Sequence, residues 1–351
     1  MIDHSILENT VHSLCEKHQL PGMSVCLTDS TGEDHLIAVG VRQSESYLQL
    51  EPDDHQRVGS ITKIFISTLI LKLQENRQLS LDQTVESILP GTLTHGSRIT
   101  VRHLLQHRSG LKDYIWVDVA GTKSIQHAVS SLQDIFPPRS LVRLIANFDL
   151  EFEPDTEYHY SNTGYIVLGM IVEKLSGKSI EDVIDQWIIQ PLQLKRTYFP
   201  LTNELRHPFA TGHSKATPDM TELSEEVTEI NKLNISITWT AGALVSTPFE
   251  IQTFMKAVFN GTLLSEESRK EMLHFHETDD TMQSYGLGLQ QFTFANGVQA
   301  VGHQGVIHGY ESVTLYYPDH EVLLTVTVNQ MPVGVVSIAG QLYREVFECD
   351  K

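Results

Sequence analysis

Ser60 and Lys63 are the first pair of residues whose types and spacing could do chemistry. They open an apolar stretch of helical character, so the two side chains share a face, one turn apart. A hydroxyl at a helix N-terminus lies among unpaired N–H groups that favour a developing oxyanion. Apolar neighbours desolvate a lysine and lower its pKa toward a value suited to accept the serine proton. Coincidence is the alternative, because this spacing arises by chance about once in a chain of this length.

A second candidate is the polar segment that contains Tyr160 and Asn162. Residues two apart in an extended segment face the same way, so these two side chains can point into a cleft while Ser161 points away. A phenol can relay protons, and a carboxamide can hold an amide carbonyl. The alternative is a polar turn in which Asn162 or Thr163 only caps the following helix.

The third candidate is the segment 301–310, at the end of a predicted strand. A strand edge can pair with an extended substrate, and Gly305 would let the substrate backbone approach closely. His303, pointing inward, would supply a hydrogen-bond donor or a proton. The alternative is a surface histidine in a turn that Gly302 and Gly305 merely shape.

The elements that must position these residues follow from hydrophobic periodicity. The predicted terminal elements are a helix at 5–18, a hairpin at 23–27 and 36–41, strands at 287–294, 298–302, 312–317 and 322–328, and a helix at 335–347. The middle of the chain carries predicted helices at 64–76, 101–107, 140–146 and 166–175, joined by polar connections at 113–134 and 202–230. This order predicts an α+β fold, in which a central antiparallel sheet built from both termini is flanked by helices and a helical lobe is inserted. The ligand site is expected in the cleft between the lobes.

Composition excludes several function classes. With 25 Lys+Arg against 44 Asp+Glu, the formal net charge of the 351 residues is −19, which argues against a nucleic-acid partner. The most apolar stretch, 61–73, is too short to span a membrane. No signal segment opens the sequence, so we expect a cytoplasmic protein if the sequence is full length, and a periplasmic or extracellular one if a signal peptide was trimmed.

Metal binding is not predicted, although the chain has 17 histidines. His103 and His107 are four apart on a predicted helix, and His274 and His276 are two apart. Neither pair has a Cys or carboxylate set of familiar metal spacing nearby. The sequence therefore predicts no metal and no cofactor.

The three segments in this order resemble the signature of the penicillin-recognising serine hydrolases: Ser-x-x-Lys, then Tyr-x-Asn, then Lys- or His-x-Gly. That superfamily includes serine β-lactamases, D-alanyl-D-alanine carboxypeptidases and, in its class C-like branch, related esterases. The segments 99–111, 239–247 and 285–288 are similar to further blocks of it. The resemblance implies a beta-lactamase/transpeptidase-like fold forming a single catalytic domain over 1–351. Within that domain, 1–59 and 287–351 would form the sheet lobe, and 60–286 the mainly helical lobe.

Catalytic roles are implied by the resemblance, residue by residue. Ser60 would be the nucleophile that forms an acyl-enzyme, with Lys63 as its immediate proton acceptor and Tyr160 within reach of both. The sequence leaves open whether Lys63 or Tyr160 is the general base. Asn162 would hold the substrate amide carbonyl, and the backbone N–H groups of Ser60 and Val306 would form the oxyanion hole.

Substrate-binding roles are implied for the third segment and for one aromatic residue. His303 would hydrogen-bond Tyr160 or a substrate carboxylate, and Gln304 and Gly305 would form the adjoining strand edge. Trp239 resembles an aromatic pocket wall, with packing in the core as the alternative. Two further aromatic residues would line the same cleft or cap the helical lobe: Tyr114 and Trp116.

The resemblance implies a serine acyl-enzyme hydrolase, and it favours a penicillin-binding D-alanyl-D-alanine carboxypeptidase or D-amino-acid peptidase. The alternative is an esterase acting on small esters; a weak β-lactamase and a non-catalytic binding protein are less favoured. Val306 stands where several relatives have a threonine or serine that binds a substrate carboxylate, which weakens the case for carboxylate recognition. The expected partners are therefore a small peptide, β-lactam or ester substrate, and no oligomeric state is predicted.

Overall fold

The computed structural model describes residues 2–43, 48–117, 132–217, 222–230 and 232–347. In these ranges the helices are α1 (His4–Lys17), α2 (Thr62–Glu75), α3 (Val85–Ile88), α4 (Val101–Leu105), α5 (Pro138–Arg143), α6 (Asn162–Ser176), α7 (Ile180–Ile184), α8 (Gln190–Leu192), α9 (Trp239–Gly242), α10 (Pro248–Phe259), α11 (Glu266–Met272) and α12 (Val335–Phe347). The strands are β1 (Gly22–Thr28), β2 (Asp34–Gln43), β3 (Leu48–Gln49), β4 (Gln56–Arg57), β5 (Gly212–Ala216), β6 (Leu223–Ile230), β7 (Val245–Ser246), β8 (His276–Glu277), β9 (Gln283–Tyr285), β10 (Gln290–Thr293), β11 (Gln299–Ile307), β12 (Tyr310–Tyr317), β13 (Val322–Val328) and β14 (Gln330–Met331).

A nine-stranded antiparallel sheet joins the two ends of the chain, in the order β3-β2-β1-β13-β12-β11-β10-β9-β8. The N-terminal strand β1 pairs with β13, with Met23 opposite Val328. Every residue of both strands is buried, because helices cover the two faces of the sheet. The predicted α+β fold, with a sheet assembled from both termini, is confirmed.

The sheet is held between terminal helices on one face and α10 on the other. Leu7 of α1 and Leu342 of α12 belong to one apolar cluster with the strands β1, β12 and β13. On the opposite face, Gln252 of α10 donates hydrogen bonds to the carbonyls of Cys26 and Leu323. Burial of apolar area on both faces is the main favourable contribution to the stability of such a layered sheet.

The helical lobe packs around α2 and α6, most of whose side chains are buried. Two strands from the range predicted to be mainly helical, β8 and β9, extend the large sheet. The predicted polar connection 202–230 is wrong: it contains β5 and β6, which form a smaller sheet with β14. The polar strand β6 is the outer strand of that sheet, so it lacks the apolar alternation by which a strand is recognised in sequence.

The second predicted connection, 113–134, is described only in part, because 118–131 lie outside the described residues. Its first residues enter the helical lobe: Tyr114 is buried, and its hydroxyl donates to the carbonyl of Ile237. Among the residues that the structure describes, no helix is long and apolar enough to cross a bilayer.

Candidate active site

A cavity of about 620 Å³ lies where the helical lobe meets the edge of β11. It brings together residues from all three sequence segments, which are separated by roughly 100 residues or more along the chain. Of the residues expected at the site or along its cleft, seven line this cavity: Ser60, Trp116, Tyr160, Asn162, His303, Gln304 and Val306.

Ser60 lies in a tight 3-10 turn, Gly59–Ile61, that leads directly into α2. Gly59 has a φ of +50°, a conformation that glycine adopts without steric cost. The Thr62 hydroxyl donates to the carbonyl of Gly59 at 2.7 Å and accepts the N–H of Leu244 at 3.1 Å. This turn is therefore fixed to the segment that follows α9, and Ser60 is held at the N-terminal end of a buried helix.

Lys63 is completely buried, and its amine contacts three oxygens. Nζ lies 3.0 Å from Ser60 Oγ, 2.8 Å from Asn162 Oδ1 and 2.7 Å from the carbonyl oxygen of Ala241. The oxygens of Asn162 and Ala241 can only accept a hydrogen bond, so a neutral Lys63 amine can donate its two protons to them. The lone pair of the amine is then available to accept the Ser60 hydroxyl proton.

Burial determines the protonation state of this amine. Desolvation lowers the pKa of Lys63 to about 7, and the negative charge of Asp113 partly opposes that shift. A large fraction of the amine is therefore neutral near pH 7. A neutral amine in hydrogen-bond contact with a serine hydroxyl is the arrangement required for general-base activation.

Tyr160 faces the same amine across its ring, with Nζ of Lys63 4.9 Å from the ring centroid. Burial raises the pKa of Tyr160 well above its usual value, and a hydrogen bond with Ser60 opposes this only in part. The phenol is therefore protonated at neutral pH. It can pass a proton between neighbouring groups, but it is a poor candidate for a phenolate base.

Asn162 connects Lys63 to a buried carboxylate that the sequence reasoning missed. The Asn162 carboxamide accepts from Lys63, while its Nδ2 donates to Asp113 Oδ2 at 2.7 Å. Asp113 also accepts the backbone N–H of Asn162 at 3.1 Å and that of Ile115 at 3.0 Å. Asp113 fixes the orientation of the carboxamide and leaves one Nδ2 proton for a substrate carbonyl. Its only signal in the sequence is its position two residues after the block 99–111.

Asp113→Asn is expected to lower kcat about tenfold and to shift the acid limb of the pH–rate profile to lower pH. The side chain introduced by this substitution would present either an NH₂ group or a neutral, weaker acceptor to the N–H groups of Asn162. The carboxamide of Asn162 would then be held less firmly in the orientation that binds substrate. It also removes the charge that raises the pKa of Lys63. Steady-state rates measured from pH 5 to 9 would test both effects. A purely structural role for Asp113 would lower the rate and leave the position of the limb unchanged.

His303 does not make the contact that was expected of it. Its Nδ1–H donates to the carbonyl of Gln304, and its Nε2 accepts from the Tyr285 hydroxyl at 2.9 Å. Its ring centroid is 6.4 Å from that of Tyr160. Burial lowers the pKa of His303 to about 3, so the ring is neutral. With both nitrogens occupied by Tyr285 and Gln304, His303 makes no hydrogen bond with Tyr160 among the described contacts.

The strand edge formed by β11 also differs from expectation at Gly305. A Cβ at this position would lie 2.0 Å from the carbonyl oxygen of Val58, and Gly305 is not among the residues that line the cavity. The side of Gly305 that a Cβ would occupy therefore lies against the segment that leads into the Ser60 turn. The next residue, Val306, is 40% exposed and lies against Gly59, which places its backbone beside that of Ser60.

The three aromatic residues expected near the cleft, Tyr114, Trp116 and Trp239, lie in different surroundings. Trp239 is not among the cavity-lining residues; it packs at the edge of the helical core, beside Gly169 of α6, where an added Cβ would meet its ring at 2.8 Å. The pocket-wall expectation for Trp239 is wrong, because the tight α6–α9 packing takes up the ring. Tyr114 is in the core, whereas Trp116 lines the cavity and is 57% exposed.

His107 is a second residue whose position the sequence did not predict. Helix α4 ends at Leu105, so His107 lies beyond the helix, with a φ of +57°. Its Nδ1 accepts the N–H of Ser161 at 3.1 Å, and its ring lies 4.1 Å from that of Tyr160 between centroids. This packing helps to hold the Tyr160 segment against the helical lobe.

The sequence also matches known proteins. The sequence model of the beta-lactamase family matches residues 7–346. Penicillin-binding protein 4* of Bacillus subtilis (strain 168) is 29% identical over 343 residues, which cover 92% of this chain and 71% of the relative. Penicillin-binding protein 4 of Amycolatopsis lactamdurans is 27% identical over 216 residues, covering 60% of this chain and 53% of that protein.

Two solved structures have similar folds over nearly their whole length. A D-stereospecific amidohydrolase from Streptomyces sp. has a TM-score of 0.86 and 29% identity, with 99% of each chain covered. A D-amino acid amidase from Ochrobactrum anthropi SV3 has a TM-score of 0.87 and 23% identity, covering 98% of this chain and 100% of that one, which shows the shared fold. Because the family match spans almost the entire sequence, this chain belongs to the beta-lactamase family and is a serine hydrolase of it.

Proposed function

We propose that this hydrolase cleaves the amide bond on the carbonyl side of a D-amino-acid residue, in substrates that carry a free amine instead of a free C-terminal carboxylate. The observation that carries the proposal is the charge of the cavity. Among the described residues that line it there is no lysine or arginine, whereas Asp279 and Asp280 lie exposed at its rim. A carboxylate entering such a site would be desolvated without a cation to pair with.

The reaction begins with the neutral amine of Lys63, which accepts the Ser60 proton as Ser60 Oγ attacks the amide carbonyl. The oxyanion that forms is stabilised by the backbone N–H groups of Ser60 and Val306. The proton held by Lys63 then passes through the Tyr160 phenol to the departing amine, and the C–N bond breaks. Water hydrolyses the resulting ester and restores Ser60. The pKa directions of Lys63 and Tyr160 support Lys63 as the base.

Three histidines line the cavity, and two of them, His303 and His308, are neutral at pH 7 because burial lowers their pKa. The third, His159, has its Nδ1 against the carboxylate of Glu151, so a positive charge on this ring would already be paired. Burial raises the pKa of Tyr158, and the negative charge of Asp279 raises it further, which places this carboxylate in electrostatic contact with the cavity wall. A substrate ammonium group would be attracted to Asp279, while a terminal carboxylate would be repelled.

Two relatives support the class of substrate. The Streptomyces amidohydrolase is named D-stereospecific, and it has 29% identity over nearly the full chain. The Bacillus subtilis relative is named a penicillin-binding protein, which supports acylation of Ser60 by penicillins.

The test is a comparison of kcat/KM for four substrates: a D-amino-acid amide, its L-enantiomer, its N-acetyl derivative and an N-acyl-D-alanyl-D-alanine. The free D-amide is expected to be hydrolysed about fivefold faster than its N-acetyl derivative and than N-acyl-D-alanyl-D-alanine, because one paired charge near the surface contributes on the order of 1 kcal/mol. Its preference over the L-enantiomer, which carries the same charge, is expected from the D-stereospecific relative. Asp279→Asn should reduce the preference for the free amine over the N-acetyl form. Asp319→Asn, an exposed acid that does not line the cavity, serves as the matched control.

Two outcomes would contradict the proposal. Faster cleavage of N-acyl-D-alanyl-D-alanine than of the free D-amide would support the carboxypeptidase function that the sequence favours. Rapid Ser60-dependent hydrolysis of short-chain esters with no amide cleavage would make the protein an esterase.

A further inference from the structure

We infer that the turn joining β1 to β2 is a binding site for a divalent transition-metal ion, formed by Asp29, Glu33 and His35. One ligand atom from each residue lies within 4.8 Å of the other two. Asp29 and His35 are only 4% and 7% exposed, whereas Glu33 is exposed. None of the three lines the active-site cavity, so the inference is independent of the proposed function.

The two oxygens of the Asp29 carboxylate have different surroundings. Oδ1 accepts the N–H of Thr31 at 2.8 Å, its hydroxyl at 2.6 Å and the N–H of Glu33 at 3.2 Å, which fixes the turn. Oδ2 is buried and has no hydrogen-bond partner within the part of the chain that the structure describes. It faces Nε2 of His35, which is likewise buried and without a hydrogen bond there. The described contact of these two atoms is with each other, as an ion pair without a hydrogen bond, and an ion between them would satisfy both.

The separation of these atoms favours a shared ion over a direct contact. Oδ2 of Asp29 and Nε2 of His35 are 3.6 Å apart. An N–H···O hydrogen bond is about 2.7 to 3.2 Å long, so this pair is too far apart to form one. Two ligands that each lie about 2.1 Å from one tetrahedral ion are about 3.4 Å apart. An ion pair between a protonated His35 and Asp29 is the competing explanation.

The remaining coordination positions can be filled locally. The exposed side chain of Glu33 is free to move toward the two buried ligands. One imidazole with carboxylates suits Zn²⁺ and similar ions better than Mg²⁺ or Ca²⁺, which prefer oxygen ligands alone.

The test is a calorimetric titration of the full chain with Zn²⁺, after EDTA treatment and dialysis. We expect one equivalent to bind and the Tm to rise with Zn²⁺ concentration. Asp29→Asn and His35→Gln should each weaken binding about tenfold or more, since even outer-shell partners of a metal contribute that much. Asp29→Asn retains an oxygen that can accept the hydrogen bonds of the turn, so this variant is expected to fold. If His35→Gln fails to fold, the affinity of Asp29→Asn for Zn²⁺ decides the result.

The matched control is His12→Gln, which removes an exposed histidine of α1 and should bind Zn²⁺ as the parent protein does. Absence of binding to the parent protein would mean that Asp29 and His35 form an ion pair only. Equal affinity in the parent protein, Asp29→Asn and His35→Gln would mean that Zn²⁺ binds elsewhere. Either result overturns the inference.

Discussion

Ser60→Ala is expected to abolish covalent labelling by a fluorescent penicillin and to lower kcat/KM for a D-amino-acid amide by about 10⁴-fold or more. The hydroxyl is the group that Lys63 contacts at 3.0 Å, at the N-terminal end of a buried helix. Without it no acyl-enzyme can form, and only binding and oxyanion stabilisation remain to accelerate attack by water. Mass spectrometry of the quenched reaction would locate the adduct on a peptide that contains Ser60.

The matched control is Ser161→Ala, in the central motif. The Ser161 side chain is buried and donates to the carbonyl of Lys112, facing away from the amine of Lys63. This variant should retain the labelled peptide. Labelling of Ser60→Ala at a different residue, with amide hydrolysis unchanged, would show that another nucleophile carries the reaction.

Lys63→Arg and Lys63→Met are each expected to lower kcat by about 10³-fold. Arginine keeps a positive charge at this position but cannot lose its proton, and methionine keeps only the apolar stem. Loss of activity in both variants would show that the proton-accepting amine is needed, and not the charge alone. Single-turnover acylation rates would separate this effect from a change in substrate binding. Activity of Lys63→Arg within tenfold of the parent protein would assign the base to another group.

The pH dependence of the parent protein follows from the same group. The pKa of Lys63 is lowered to about 7, and the neutral amine is the reactive form. For a substrate without a titratable amine, kcat/KM is therefore expected to rise with pH, to reach half its maximum near pH 7 and to level off about one pH unit higher. The neighbouring Tyr160 has a raised pKa and should not titrate in this range. A rate that falls as pH rises from 6 to 8 would contradict the assignment of the base.

Local patterns in the sequence were sufficient for most of the fold and for the residues at its catalytic centre. The strand at 322–328 and the helix at 335–347 have the predicted bounds, because a continuous apolar run and a four-residue spacing each favour one local structure. Ser60 and Lys63 lie one turn apart, as their spacing predicts, and the family follows from three short motifs in order. These properties depend on neighbours in sequence, which the sequence displays directly.

Tertiary structure alone decided the surroundings of that centre. Asp113 became a partner of Asn162, and Tyr285 took the hydrogen bond expected between His303 and Tyr160, because residues far apart in sequence met in a buried cavity. Gly305 is required by packing against Val58, a contact made by distant strands. Desolvation lowered the pKa of Lys63, and the charge of the cavity depends on which side chains face it. Burial and charge are properties of the assembled chain, since each depends on every element packed around a residue and not on its neighbours in sequence.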